Sequence, residues 1–287
     1  MTRLLLVAML LTQADGVRPR YGVDKSSRER VYLEVQLGIK IEGPDTLASL
    51  VRSMHPLLSM EKLVLRAEGG QQIPSRGKRK VDYDEARVEM RYDDQDYEYD
   101  YAKGAPAVGD QDKILQMMVF LAMAGRSYNL SAEGEYRSDD ATQDHNGEAM
   151  DLYALGITRM PDGPVKEGGT YEKSWKGSRS EKGKKGRWDF VQKVTVEKVE
   201  EREGKAVAVL ASDLTGTLNG ADPNPAAEES WTKCEGKTRV TIELEGGRVL
   251  ASEGEGLITV YFRNTSESGQ RQELRLLFAA QGKSMIK

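Results

Sequence analysis

The chain has 287 residues, with 42 Lys and Arg against 46 Asp and Glu for a formal net charge of -4, and 38% hydrophobic residues. That length holds one large domain or two of about 100–150 residues each, and the acidic balance excludes a general attraction to nucleic acid or to an anionic membrane. Cys234 is the only cysteine, which excludes an intramolecular disulfide and any CxxC redox or zinc motif.

Residues 1–16 read as a signal peptide. Arg3 supplies a positive start, Leu4 to Leu11 an unbroken apolar run, and Thr12-Gln13-Ala14 small residues where a signal peptidase cuts. The apolar run is far shorter than the about 20 residues a membrane helix needs, and no later segment reaches that length. The mature chain is therefore expected to be exported, periplasmic or extracellular, with no membrane span.

Strand signals dominate the chain beyond residue 16. Val31 to Ile41 alternates apolar and polar residues, the period of a half-buried strand, and Gly43-Pro44 ends it. Leu47, Leu50, Val51, Met54, Leu57 and Leu58 recur at helical spacing, limited by Pro56. Met60 to Ala67 and Lys80 to Tyr101 return to alternation, separated by a polar loop from Gly69 to Lys78.

A helix is predicted over 110–124, capped by Asp110 or Asp112 and stopped by Gly125. It is apolar nearly all round, so it is expected to be buried; Met117, Met118, Phe120 and Leu121 are its candidates for lining an apolar ligand cavity. Tyr128 to Tyr136 reads as a hairpin turning at Glu133-Gly134, and Ser138 to Asp151 as a polar acidic loop. Met160-Pro161-Asp162-Gly163-Pro164 can continue neither helix nor sheet, which divides the chain into a β-rich domain of residues 17–158 and an antiparallel β domain of residues 159–287.

The second half reads as Thr170 to Trp175, Trp188 to Val199, Lys205 to Leu210, Thr238 to Leu244, Arg248 to Ala251, Leu257 to Phe262 and Glu273 to Ala280. Glu203-Gly204 and Glu245-Gly246-Gly247 supply hairpin turns, and residues 219–229, with Pro223 and Pro225, a long loop. Tyr128 to Gly134 and Val240 to Gly246 are both strands running into a Glu-Gly turn, which suggests two similar halves.

Leu115 to Tyr136, LQMMVFLAMAGRSYNLSAEGEY, and Gly163 to Trp175, GPVKEGGTYEKSW, resemble exported bacterial β-rich proteins of a domain-of-unknown-function family. There a leucine-rich helix, a glycine, a strand and an acid-Gly turn precede a Pro-Val-Lys-x-Gly-Asp-x-Trp strand opener; a later hairpin is matched by Glu203-Gly204-Lys205-Ala206-Val207. This chain has Gly169 where the opener carries Asp, and its aromatic falls at Tyr171 or Trp175. The resemblance implies export and a β-rich fold, with no catalytic residue to carry over.

Few chemistries find their residues. The two histidines, His55 and His145, are the only bases a Ser-His triad could use, and no Gly-x-Ser-x-Gly elbow accompanies them. His145 stands among acids that favour its charged form. Asp140, Asp144, Asn146 and Asp151 are oxygen ligands of the kind calcium takes, but setting Gly147 at the EF-hand glycine puts Thr142 and Tyr153 where acids belong. Residues 177–185 miss the phosphate-loop spacing by one residue.

Two charge runs remain. Nine acids, interleaved with Tyr83, Tyr92, Tyr97 and Tyr99, lie between Asp82 and Asp100, and seven bases between Lys173 and Arg187. Each reads as a solvated strand face; the sharper alternatives are that they dock on each other, or that the basic run binds an anionic surface polymer.

The fold expected is therefore mainly β (α+β): antiparallel curved sheets or partial barrels with one buried helix. The function expected is that of a non-enzymatic binding or structural protein of the bacterial cell envelope, with no cofactor and an unknown envelope component or apolar ligand as partner. The alternatives are a periplasmic carrier of an apolar ligand in a curved-sheet cavity, and an envelope glycan hydrolase using a carboxylate pair.

Overall fold

A computed structural model describes residues 18–22, 24, 28–100, 126–138, 145–177, 186–219, 227–266 and 269–286. In chain order these form β1 (Glu29–Glu42), α1 (Asp45–Met54), a 3-10 turn (Pro56–Ser59), β2 (Met60–Ser75), β3 (Lys78–Tyr92), β4 (Gln95–Asp100), β5 (Arg126–Leu130) and β6 (Tyr136–Ser138). Then come α2 (His145–Ala154), β7 (Thr170–Lys176), β8 (Arg187–Arg202), β9 (Lys205–Asn219), β10 (Glu229–Glu243), β11 (Val249–Thr265) and β12 (Arg271–Ile286). The signal-peptide residues, the helix predicted over 110–124 with Met117, Met118, Phe120 and Leu121, and the acids Asp140 and Asp144 lie outside the described residues.

All twelve strands join one antiparallel sheet in the order β6-β5-β3-β2-β1-β12-β11-β10-β9-β8-β7, with β4 beside β3. Strand β8 shows why. Trp188, Phe190, Gln192, Val194 and Val196 point to one buried face, while Asp189, Lys193, Thr195 and Glu197 are exposed on the other. The sheet runs on across residue 159: β1 hydrogen-bonds β12 from Val31 opposite Ile286 to Glu42 opposite Arg275. One hydrophobic core draws Val81, Tyr128 and Tyr136 from one end of the sheet and Trp188, Phe190 and Val194 from the other.

That sharing is possible because the sheet curls around α2 and the connector after it. The two edges, β6 and β7, do not pair, so the curl is not a closed barrel. The connector spans the seam instead: Met160 N–H donates to Glu133 O at 2.9 Å on the β5–β6 side, and Tyr171 Oη of β7 donates to Arg159 O at 2.9 Å. Its other polar groups are met by a polar row across the buried face. Ser252 donates to Leu155 O at 2.9 Å, Gln192 accepts from Arg159 N–H at 2.8 Å, and Thr158 and Thr238 hydroxyls bond at 2.8 Å. A buried irregular segment must have its backbone groups satisfied, which accounts for Gln192, Ser212, Thr238 and Ser252 at positions where alternation would place hydrophobes.

Strand β11 is continuous through Glu253-Gly254-Glu255-Gly256, where the sequence suggests a break between residues 251 and 257. The glycines there serve contact. Gly236 stands opposite Gly256 in the β10–β11 register, and a Cβ on Gly236 would lie 2.6 Å from Tyr153 of α2. With no side chain in the way, the helix sits directly on the sheet backbone.

Three other expectations change. The stretch from Ser138 to Asp151, read as a loop, contains the start of α2, whose Ala149, Leu152, Tyr153 and Ala154 are buried; the acids before it masked a short apolar face. Lys80 to Tyr101 is not one strand, because Asp93 and Asp94 take positive φ of 50° and 60° and fold it into the β3–β4 hairpin. The polar stretch from Gly69 to Lys78 is mostly strand, and only Arg76-Gly77 turns. The helix after Pro44, the turns at Glu133-Gly134, Glu203-Gly204 and Glu245 to Gly247, and the β strands around them follow the sequence reading.

Much of the acidic run is paired locally. Asp84 pairs with Arg28, Glu89 with Arg66, Glu98 with Arg87, and Asp94 and Asp96 with Arg91. In the basic run, Lys173 pairs with Asp162. No ion pair links the two runs among the described residues.

Candidate functional site

The seam between the two sheet edges opens into a groove of about 650 Å³. Each wall is placed by a different element. Arg76 comes from the β2–β3 turn, where Gly77 O accepts from Leu130 N–H at 2.8 Å and pins the turn to β5. Arg137 comes from β6, Lys176 from β7, Arg159 from the connector and Arg20 from the segment before β1. The floor is the β5–β6 loop, tightened by Ser131 Oγ, which accepts from Glu133 N–H at 3.2 Å and Glu135 N–H at 3.0 Å.

Charge is the groove's chemistry. Its five cations face two carboxylates, Glu133 and Glu135. Arg159 lies 3.5 Å from Glu135 and 4.5 Å over the Trp175 ring, which stacks on Phe190 at 5.2 Å. Arg20, Arg76, Arg137 and Lys176 are exposed and have no carboxylate partner among the described residues. Concentrating like charges in a concavity lined by protein focuses the potential. The groove is thus locally positive on a chain of net charge -4.

A second groove, of about 800 Å³, lies on the sheet face away from α2. Its charges alternate across the strands. Lys193, Asp213, Lys237 and Glu255 face one another in successive registers of β8, β9, β10 and β11. Arg239, Glu253, Lys283 and Glu34 do the same across β10, β11, β12 and β1. Arg239 binds Glu197 at 2.7 Å and Glu253 at 3.6 Å. Here opposite charges across strands contribute to sheet pairing, and each carboxylate in these rows has a base beside it.

The cavity between the sheet and the connector, on the α2 side, is about 50 Å³, against the about 300–1,000 Å³ of sites that enclose an organic ligand. Of the calcium candidates, Asn146 falls in the first turn of α2, and Asp151 accepts a hydrogen bond from Tyr136 Oη. Among the described residues no group of three His, Cys, Asp or Glu side chains is placed to hold a metal ion. Cys234 is buried in the core beside Tyr153, and burial pushes its thiol up to about 12, which keeps it protonated at neutral pH.

Sequence reasoning flagged Lys176, within the basic run, and missed the other four cations. They are arginines scattered from residue 20 to residue 159, and no local pattern joins them to one another. No family model and no curated protein matches the chain. The fold and groove define it as an open, curled antiparallel-sheet protein with a cationic seam.

Proposed function

We propose that the protein is an exported, non-enzymatic binding protein of the cell envelope, and that its seam groove holds an anionic envelope polymer. The observation that carries this reading is the set Arg20, Arg76, Arg137 and Lys176, four cations without carboxylate partners among the described residues, around one concavity. Guanidinium groups match phosphate, sulfate and carboxylate oxygens with paired N–H donors. Ser131 Oγ accepts from two backbone N–H groups, which leaves its O–H as a neutral donor beside the cations. The leader-like residues 1–16 support an exported location.

The test is retention on sulfated dextran beside uncharged dextran, at 50 mM and 200 mM salt. Binding should need the sulfate groups, weaken steeply with salt, and fall at least about tenfold when Arg20, Arg76, Arg137 and Lys176 are all replaced by Gln, each lost charge-assisted contact being worth about 1 kcal/mol or more. Equal retention of the variant, or equal binding to the neutral polymer, overturns the reading.

A further inference from the structure

Arg79 occupies an inward position of β3, in line with Val81, where the alternation calls for a hydrophobe. It is only 5% exposed. One Nη donates to Gly22 O at 2.9 Å, and the guanidinium lies 5.9 Å from the Tyr21 ring centre. Its Nε–H has no hydrogen-bond partner, and no carboxylate pairs with it among the described residues. An arginine cannot shed its proton to escape this situation, and a buried charge without a counter-charge is strongly destabilising.

The guanidinium borders the cavity of about 50 Å³ between the sheet and the connector. That volume exceeds the roughly 30 Å³ share of a water molecule in the liquid, so it admits a small ion. Tyr21 lines the same cavity. Its hydroxyl accepts from Thr158 N–H at 3.1 Å, leaving the phenolic proton to donate, and burial raises its pKa to about 12, so that proton is retained. Val31, Leu33, Ile157 and Val240 supply apolar walls, with Gln71, Ser252 and Ser284 beside them.

The geometry points to a buried site for one small monovalent anion, chloride or a carboxylate of formate size, bound against Arg79. A single charge matches a single guanidinium, while a dianion would leave one charge without a counter-charge. The site is separate from the seam groove and does not depend on the polymer reading.

The test is thermal unfolding of the full chain at constant ionic strength as chloride replaces gluconate, which is too large to enter. The wild-type Tm should rise saturably, by about 5 °C once chloride exceeds its Kd a hundredfold, and formate should substitute for chloride. Arg79→Met should abolish the dependence and, in gluconate, be at least as stable as the wild type. Arg79→Lys keeps the charge and should keep the dependence, which retains the test if Arg79→Met fails to fold. The fourfold Gln variant of the groove should respond as the wild type does. A wild-type Tm indifferent to chloride, an equal rise in Arg79→Met, or loss of the effect in the groove variant overturns the assignment.

Discussion

The ring of Tyr153 occupies the place where a side chain on Gly256 would stand, so that a Cβ built there overlaps the Cγ, Cδ2 and Cε2 atoms of the ring. Helix α2 and strand β11 are held together through this absence. Tyr153 is fully buried, and its hydroxyl donates to Leu214 O at 3.1 Å across the sheet. Gly256→Ala should therefore destabilise the protein by about 1–3 kcal/mol, the range of overpacked cores. In a double-mutant cycle with Tyr153→Ala, read from urea midpoints, the glycine substitution should lose most of its cost, because the two sites share one space. Additive costs would mean that the ring is not what excludes the methyl.

Gln192 ties three layers of contact to one side chain. Its Oε1 accepts from Arg159 N–H, and its Nε2 lies 2.8 Å from Ser212 Oγ and 3.2 Å from Ile157 O. Gln192→Leu preserves size yet leaves those groups unpaired in the core. The expected loss is about 2–3 kcal/mol in denaturant unfolding, since orphaned buried polar groups bear their full desolvation penalty. Gln192→Glu should cost at least as much near neutral pH, where it places a charge in the same site.

The β3–β4 turn offers a change of opposite sign. Asp93 and Asp94 both hold positive φ, which suits the paired turns that join two strands but strains residues with a Cβ. Replacing Asp93 by Asn and Asp94 by Gly should stabilise the protein by about 0.5–1 kcal/mol. A fall in the urea midpoint would show that the Asp94 carboxylate, 3.6 Å from Arg91, contributes more than the strain removes.

Alkali should unfold the protein earlier than its charge alone suggests. Burial raises Cys234 from 9.0 and Tyr21 from 10.0 to about 12 each. A group whose folded pKa is raised contributes its stabilisation in full below the unfolded value and loses it as pH climbs to the folded one. Stability should thus decline from about pH 9, steepen above pH 10 and still be falling at pH 12, because burial raises Tyr153 and Tyr171 further than Tyr21. Cys234→Ala should delay the onset toward pH 10, followed as urea midpoints between about pH 8 and 11.5. An unchanged onset would show that the thiol is not the first group to respond.

Much of this was legible one strand at a time. Alternation in Val31 to Ile41 and Trp188 to Val199 reports the local period of a half-buried strand, and Glu203-Gly204 and Glu245 to Gly247 report turns that glycine permits. Helix α2 escaped because its apolar face is short and lies behind a cluster of acids, so neighbours in sequence obscured neighbours in space. The seam groove escaped for a stronger reason: Arg20, Arg76, Arg137 and Arg159 acquire a common meaning only when two sheet edges face each other.

Composition and periodicity by themselves therefore determined the mainly antiparallel architecture, the turns, and the scarcity of residues for triad, thiol or zinc chemistry, because each of these depends on residue type and spacing along the chain. Tertiary structure alone decided that β1 joins β12 in a single curled sheet, that glycines and polar side chains on its inner face receive α2 and the connector, and that scattered cations converge at the seam. Strand pairing and sheet curvature bring together residues far apart along the chain, as β1 beside β12 shows, and no local pattern encodes such distances.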